Sequence, residues 1–300
     1  MSDWRKTIQH ALPDAKISEP LAKYTTFRIG GPADLFVDLE NNQQLVMLMR
    51  MAKEAKQPVM FIGWGSNMLV RDGGVRGIVA RLRGDFEKIE FPGGNRVSAG
   101  AAVRVPQLVT ACAAQGLCGD ESLVGVPGTV GGALVMNAGT REGEIGPLVV
   151  EVETFDPRTL AAATLHAKDL HFEYRKSNLE GRIVLGCVLQ LKPGDKVDIM
   201  KRVQDFQQKR LRTQPIHTYN VGSTFKNPQG KFVAKLIEEA GLKGMTVGGA
   251  RISPMHANFI ENFADAKAAD VLALVGKIQA QIKKSLGLDL ELEMKVVGEP

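Results

Sequence analysis

The sequence predicts an α+β protein built as two lobes. Short segments of alternating polarity recur between stretches of helical period. Glycine turns follow strand-like segments in the first part of the chain, where α/β folds commonly seat ligands. The texture changes at Pro193-Gly194-Asp195, and the roughly 95 residues beyond it are enough for a second domain.

Each element has a local reason. The first 23 residues read as a short amphipathic lead-in. LFVDLE, from Leu35 to Glu40, alternates as a strand, and Asn41 or Asn42 can cap a helix reaching Lys56 with Leu45, Met49 and Ala52 on one face. PVMFIG is a short apolar strand ending in WGSN. From Gly73 to Gly100 glycine and β-branched residues suggest short strands. Val105 to Gln115 reads as a helix, with Pro106 in its first turn and Gly116 as its stop. Val149–Phe155 and Ile183–Leu191 are strand-like. In the second lobe, Val197–Arg212 and Lys231–Ala240 are helical, and Ala257–Asn262 is a strand. Ala266–Ser285 carries Val271, Val275, Ile278 and Ile282 on one stripe and stops at Gly287. The closing DLELEMKVVG reads as one strand, with Leu290, Leu292, Met294 and Val296 on a common face.

Composition narrows the function. With 300 residues, 44% hydrophobic and 24% charged, the chain can bury real cores. Its 32 glycines exceed the usual share of about 7%, which points to tight turns or ligand-facing backbone. The net charge of +5 is spread along the chain and suits an anionic small molecule. There is no basic tail and no aromatic-basic repeat, which disfavours nucleic acid. Cys112, Cys118 and Cys187 are odd in number and form no C-x-x-C, so a reduced cytoplasmic protein is expected. No apolar signal core opens the chain, and no run of roughly 18 apolar residues occurs, so no membrane span is expected. His10, His166, His171, His217 and His256 show no metal-ligand spacing.

Two glycine turns stand out. One is Gly63-Trp64-Gly65-Ser66-Asn67; the other, GVPGTVGGALVMNAG, holds Gly125, Gly128, Thr129, Gly131, Gly132, Asn137 and Gly139. Neither is a dinucleotide G-x-G-x-x-G or a phosphate loop with its lysine, which also disfavours a P-loop ATPase. Either turn alone is most simply a tight bend. Two in one lobe look like paired clamps for a diphosphate, and without a charged partner their donors would be main-chain amides.

Single residues are less decisive. Ser223 in VGSTFKNP, with Lys226 and Asn227 close behind, can deliver a proton or steady a developing charge, although a surface loop explains it as well. Glu293 shares a strand face with Asp289, Glu291 and Lys295, and Arg175 in EYRKSN is more often exposed than catalytic. Lys201, Arg202, Lys209, Arg210 and Arg212 read first as a solvated helix face, with attraction of an anionic substrate as the second reading.

Seven segments then line up. YTTFRIGGPADLFV, GWGSNMLV, GVPGTVGGALVMNAG, YRKSN, GSTFKNP, GGARISPMHANFI and LELEMKVVG, in this order and spacing, resemble the UDP-N-acetylenolpyruvoylglucosamine reductase family over Tyr24 to Gly298. The resemblance implies an FAD-binding fold of the vanillyl-alcohol-oxidase (PCMH) type, with a smaller α+β substrate-binding domain. FAD would be bound non-covalently, both glycine turns would wrap its diphosphate, and NADPH would be the co-substrate. FAD binding would occupy 1–195, in subdomains of about 1–84 and 85–195, and substrate binding 196–287; the last strand, 288–300, is a candidate to return to the first domain. The implied reaction reduces an enolpyruvyl UDP-sugar to UDP-N-acetylmuramate in bacterial peptidoglycan synthesis. By motif, Ser223 would donate the proton, Arg175 and Glu293 would stabilise or protonate the enolate, and Gln214, Lys226, Asn227, Lys231 and His256 would contact substrate.

The chain departs from the family pattern at Trp64, Ser122, Thr140-Arg141-Glu142 and Leu292, and matches the shorter family type without the tyrosine-bearing insertion. The implied partners are the UDP-sugar and NADPH, with no nucleic acid, and the expected state is a monomer or weak oligomer. The competing readings are another flavin oxidoreductase of this fold and a non-catalytic nucleotide-sugar binder, which would need none of Ser223, Arg175 and Glu293.

Overall fold

A computed structural model describes residues 3–300. The chain forms two compact units and passes between them more than once. The first takes residues up to Lys16, Phe36–Trp64 and Ile78–Lys209; the second takes Ile17–Leu35, Gly65–Gly77 and Arg210–Pro300. The units therefore interleave in sequence, and the change of texture near residue 195 does not divide them. Residues 196–209 belong to the first unit because the Lys196–Thr213 helix is anchored there. Ile199 and Val203 are buried, and Arg202 donates to the Glu121 carboxylate from Nε at 2.9 Å and from Nη2 at 2.8 Å.

In the first unit, Asn41 caps the Asn42–Glu54 helix, its side-chain oxygen accepting the Gln44 N–H at 3.0 Å. That helix buries Leu45, Leu48, Met49 and Ala52. Strand Val59–Phe61 runs parallel to Val75–Leu82, Val59 beside Ile78 and Phe61 beside Ala80, and delivers the first glycine turn at its end. A five-stranded antiparallel sheet follows in the order Ala161–His166, Val149–Asp156, Ile183–Gln190, Arg96–Gly100, Ile89–Gly93. The Val105–Ala114 helix begins with Pro106 in its first turn, as its sequence predicts, and the short Val130–Val135 helix continues the second glycine run.

The second unit is built on the Ala268–Leu286 helix. Its stripe of Val271, Leu274, Val275, Ile278 and Ile282 is buried, in one core with Ala250, Ile252 and Ile260 from the three-stranded antiparallel sheet Thr246–Val247, Ala250–Ile252, Ile260–Asn262. Each buried valine, leucine or isoleucine among them contributes about 1.5–3 kcal/mol, and a charge at Ile278 would strand an ion there. The Asp72 carboxylate accepts the N–H groups of Ala268 and Ala269 at 2.9 and 3.0 Å, and Gly287 ends the helix at φ 68°.

The end of the chain differs from its sequence pattern. Only Lys295–Val297 is a strand, parallel to Met68–Val70. Leu292 instead forms an isolated bridge with Phe225. Alternate burial survives, since Leu290 and Met294 are buried, but the segment changes partner midway and no single ladder can form.

Candidate functional site

The expected site residues fall on both units. On the first, the two glycine turns meet. A Cβ placed on Gly63 would lie 2.5 Å from Thr129 Oγ1, so this contact admits only glycine unless the threonine turns away. Thr129 caps the Val130–Val135 helix, its hydroxyl oxygen accepting the Gly132 N–H at 3.5 Å. The run is stitched to the preceding loop by three backbone bonds: Val105 N–H to Gly128 O at 3.1 Å, Val130 N–H to Val103 O at 2.8 Å, and Gly131 N–H to Ala101 O at 2.9 Å.

This corrects the reading of Gly131 as a ligand-facing amide. Its N–H is committed to Ala101, and its missing side chain makes room for Ala101 Cβ, 3.0 Å from where its own would be. The N–H groups of Gly128 and Thr129, by contrast, have no hydrogen-bond partner among the described residues. Bare amides beside a space that a Cβ would fill are what a diphosphate requires of a backbone clamp.

Asn137 and Gly139 serve the loop itself. Asn137 is buried at φ 44°, with Nδ2 donating to Glu144 Oε2 at 2.8 Å and Glu173 O at 3.0 Å, while Oδ1 accepts the Gly146 N–H at 3.0 Å. Gly139 offers its carbonyl to Arg175 Nη2 at 3.1 Å. Arg175 occupies the tip between Phe172–Glu173 and Lys176–Ser177, at φ 56°, with its guanidinium 4.8 Å from the Tyr174 ring centre. The end of the second glycine run thus holds one of the expected catalytic residues. In the segment that departs from the family, Glu142 forms an ion pair with Lys209, and this pairing draws its carboxyl below the ordinary range. Lys209 is therefore paired on a helix face that reads as freely solvated in sequence.

The second unit carries the rest. Gly65 is left-handed at φ 62°, and any Cβ would strike Tyr24 O at 2.2 Å. Asn67 is tied to Glu293: its Nδ2 donates to the Glu293 carbonyl at 3.1 Å, and its own carbonyl accepts the Lys295 N–H at 2.9 Å. The Ser223 loop runs alongside the same arm. Lys226 N–H donates to Glu291 O at 2.9 Å, and Glu293 N–H to Thr224 O at 2.9 Å, on either side of the Phe225–Leu292 bridge. Ser223 and Glu293, separated by 70 residues of chain, are brought into neighbouring positions by this pairing.

The expected substrate contacts around it vary in what they already do. Lys226 pairs with Glu291. Asn227 Oδ1 accepts the Val233 N–H at 3.0 Å, and Gln214 Oε1 accepts Arg210 Nε at 2.8 Å. Lys231 is exposed. His256 stacks edge-on against Phe259, with centroids 4.7 Å apart, and burial pulls its pKa down, so its imidazole is neutral near pH 7.

Sequence reasoning missed two residues. Asn258, 3% exposed, clamps the Ser223 loop from below: its main-chain carbonyl accepts the Thr224 N–H at 2.7 Å, Oδ1 accepts the Phe225 N–H at 3.0 Å, and Nδ2 donates to Phe225 O at 2.8 Å. Its only signal was an asparagine within an apolar strand-like run. The other is Arg104, whose guanidinium lies 3.8 Å from the centre of the Trp64 ring. No group of three or more His, Cys, Asp or Glu among the described residues is arranged to hold a metal, and no described helix is long and apolar enough to cross a membrane. All three cysteines are free thiols.

Comparison with known proteins places the chain in a family. Residues 33–159 match the FAD binding domain family, and residues 214–297 match the C-terminal domain of UDP-N-acetylenolpyruvoylglucosamine reductase. The UDP-N-acetylenolpyruvoylglucosamine reductase of Phenylobacterium zucineum is 42% identical over 285 residues, 94% of each chain. Reductase 2 of Symbiobacterium thermophilum is 40% identical, covering 94% of this chain and 91% of its own. The crystal structure of the reductase from Thermus caldophilus superposes with a TM-score of 0.81 at 39% identity, over 95% of this chain and 98% of the other. The chain belongs to the UDP-N-acetylenolpyruvoylglucosamine reductase family.

Proposed function

We propose that this protein reduces UDP-N-acetylglucosamine enolpyruvate to UDP-N-acetylmuramate, using NADPH through bound FAD, in bacterial peptidoglycan synthesis. The observation that carries the reading is the pairing of the Ser223 loop with the Glu293 arm, in a chain that also matches an FAD binding domain.

The chemistry FAD supplies when bound is hydride transfer, loaded from NADPH and delivered to the terminal carbon of the enolpyruvyl group. What remains falls to side chains. As hydride arrives, negative charge builds on the carbon next to the carboxylate and spreads into it as an enolate. Arg175, a permanent cation, and Glu293 stabilise or protonate that species, and the Ser223 hydroxyl gives its proton to the carbon. Gln214, Lys226, Asn227, Lys231 and His256 orient the UDP-sugar. Gly63, Gly128 and Thr129 supply the bare backbone for the FAD diphosphate, Gly132 gives its N–H to the Thr129 cap that shapes the turn, and Trp64, Gly65, Ser66 and Gly125 lie in the same turns. Asn67, Gly131, Asn137 and Gly139 hold those turns in shape.

We assign FAD binding to 1–195 and substrate binding to 196–287. The parallel pairing of Lys295–Val297 with Met68–Val70 lies within the second compact unit, so it ties the last strand to the 65–77 segment and does not carry it into the first unit. The reaction is assigned to the cytoplasm, where free thiols are the rule, and the protein to a monomeric or weakly associating state.

The test is anaerobic. NADPH should bleach the flavin absorbance of the purified protein, and the enolpyruvyl UDP-sugar should restore it. Flavin that recolours only with oxygen would point to an oxidase, and protein that binds the sugar but never takes up flavin would point to a binding protein.

A further inference from the structure

We propose that Arg104, shelved on the indole of Trp64, supplies a cationic contact to the diphosphate of the bound dinucleotide. This rests on the FAD reading above and deepens it. The two side chains come from the two glycine turns. Trp64 follows Gly63, whose Cα abuts Thr129. Arg104 is bridged to Thr129 itself, and its neighbours Val103 and Val105 are the ones bonded to Val130 and Gly128. One residue therefore touches both halves of the clamp: the Arg104 backbone pairs with Thr129 of the second turn, next to the unpartnered N–H groups of Gly128 and Thr129, and its guanidinium lies over Trp64 of the first.

The guanidinium is poised but unmatched. It makes no hydrogen bond or ion pair among the described residues, and its Nε is buried without a partner. Burial lowers its pKa, yet an arginine remains charged at neutral pH. A guanidinium is normally satisfied by carboxylates or carbonyls, and leaving a buried donor unmet is unfavourable. The contact with Trp64 holds the cation over the ring without consuming any of its five N–H groups. That leaves a rigid, preorganised cation suited to a phosphate oxygen. A purely structural staple between the turns accounts for the stack but not for the orphaned Nε. On this proposal the clamp, which the sequence supplies with main-chain amides alone, gains a charged partner in Arg104.

The experiment titrates flavin-stripped protein with FAD and with riboflavin, which has no phosphate, and repeats the FAD titration over a range of NaCl. Arg104→Met should weaken FAD by about tenfold to a hundredfold, flatten the dependence on NaCl, and spare riboflavin. Arg104→Lys should recover part of the affinity and the salt dependence. Unchanged FAD affinity in Arg104→Met would overturn the proposal. So would a loss with an unaltered salt slope and a lower melting temperature of the stripped protein, the mark of a staple. Wild-type protein that fails to bind FAD would instead sink the flavin reading itself.

Discussion

The amide of Glu293 donates to the carbonyl of Thr224 at 2.9 Å, and this one bond sets the position of Glu293 against the residue that follows Ser223. Two groups assigned to one protonation event are thereby carried on paired backbone, which holds them more tightly than two independent loops would. Ser223→Ala should leave bleaching by NADPH nearly intact and slow recolouring by substrate by about 10²–10⁴-fold. Rapid-mixing absorbance separates the two phases, and equal slowing of both would count against Ser223 as the proton donor.

Asn258 supports that pairing without being assigned any part in the chemistry. Its side chain satisfies both polar groups of Phe225 in a buried setting. Asn258→Leu removes both bonds and leaves an N–H and a carbonyl buried, at about 1–3 kcal/mol each. Urea unfolding should report a loss of that order, and recolouring should slow while bleaching does not. Stability equal to that of the wild type would show that water replaces the amide.

The contact of Gly63 with Thr129 predicts a dependence between them. Gly63→Ala puts a methyl 2.5 Å from Thr129 Oγ1 and should weaken flavin retention, with strain of about 1–3 kcal/mol. Thr129→Ala removes the obstructing oxygen, so the double variant should bind flavin better than the sum of the single losses implies. Strict additivity of the two effects in a flavin titration would mean that the turns do not press on each other.

Asp120 predicts a pH dependence unrelated to catalysis. Its carboxylate is 1% exposed, neither oxygen has a hydrogen-bond partner among the described residues, and Cys112 and Glu121 lie against it. Burial above all, with Glu121 adding, pushes its pKa up to about 7, against the opposing pull of Cys112 and its own backbone. A group raised on folding stabilises fully below its unfolded pKa of 3.8, and that stability is lost as pH rises through about 7. The loss runs at about 1.4 kcal/mol per pH unit between those limits. Asp120→Asn should therefore flatten the stability profile and exceed the wild type at pH 8. Unfolding curves at pH 5 and pH 8 decide it, and a wild type as indifferent to pH as the variant would contradict the assignment.

How far the sequence reaches is clear from individual elements. The Asn42–Glu54 and Ala268–Leu286 helices were legible because a period, a cap and a glycine stop are local properties. The family was legible because seven motifs keep their order along the chain. The closing strand was over-read, since alternation shows which side chains turn inward but not that the backbone changes partner between Phe225 and Met68. Likewise, a glycine reveals that space is needed without revealing what fills it. Only the tertiary structure decided that Gly63 faces Thr129, that Gly131 spends its amide on Ala101, that Asn67 holds Glu293 from 226 residues away, and that an arginine outside every motif stacks on Trp64. Those contacts arise from chain closure over long separations, which no local pattern encodes.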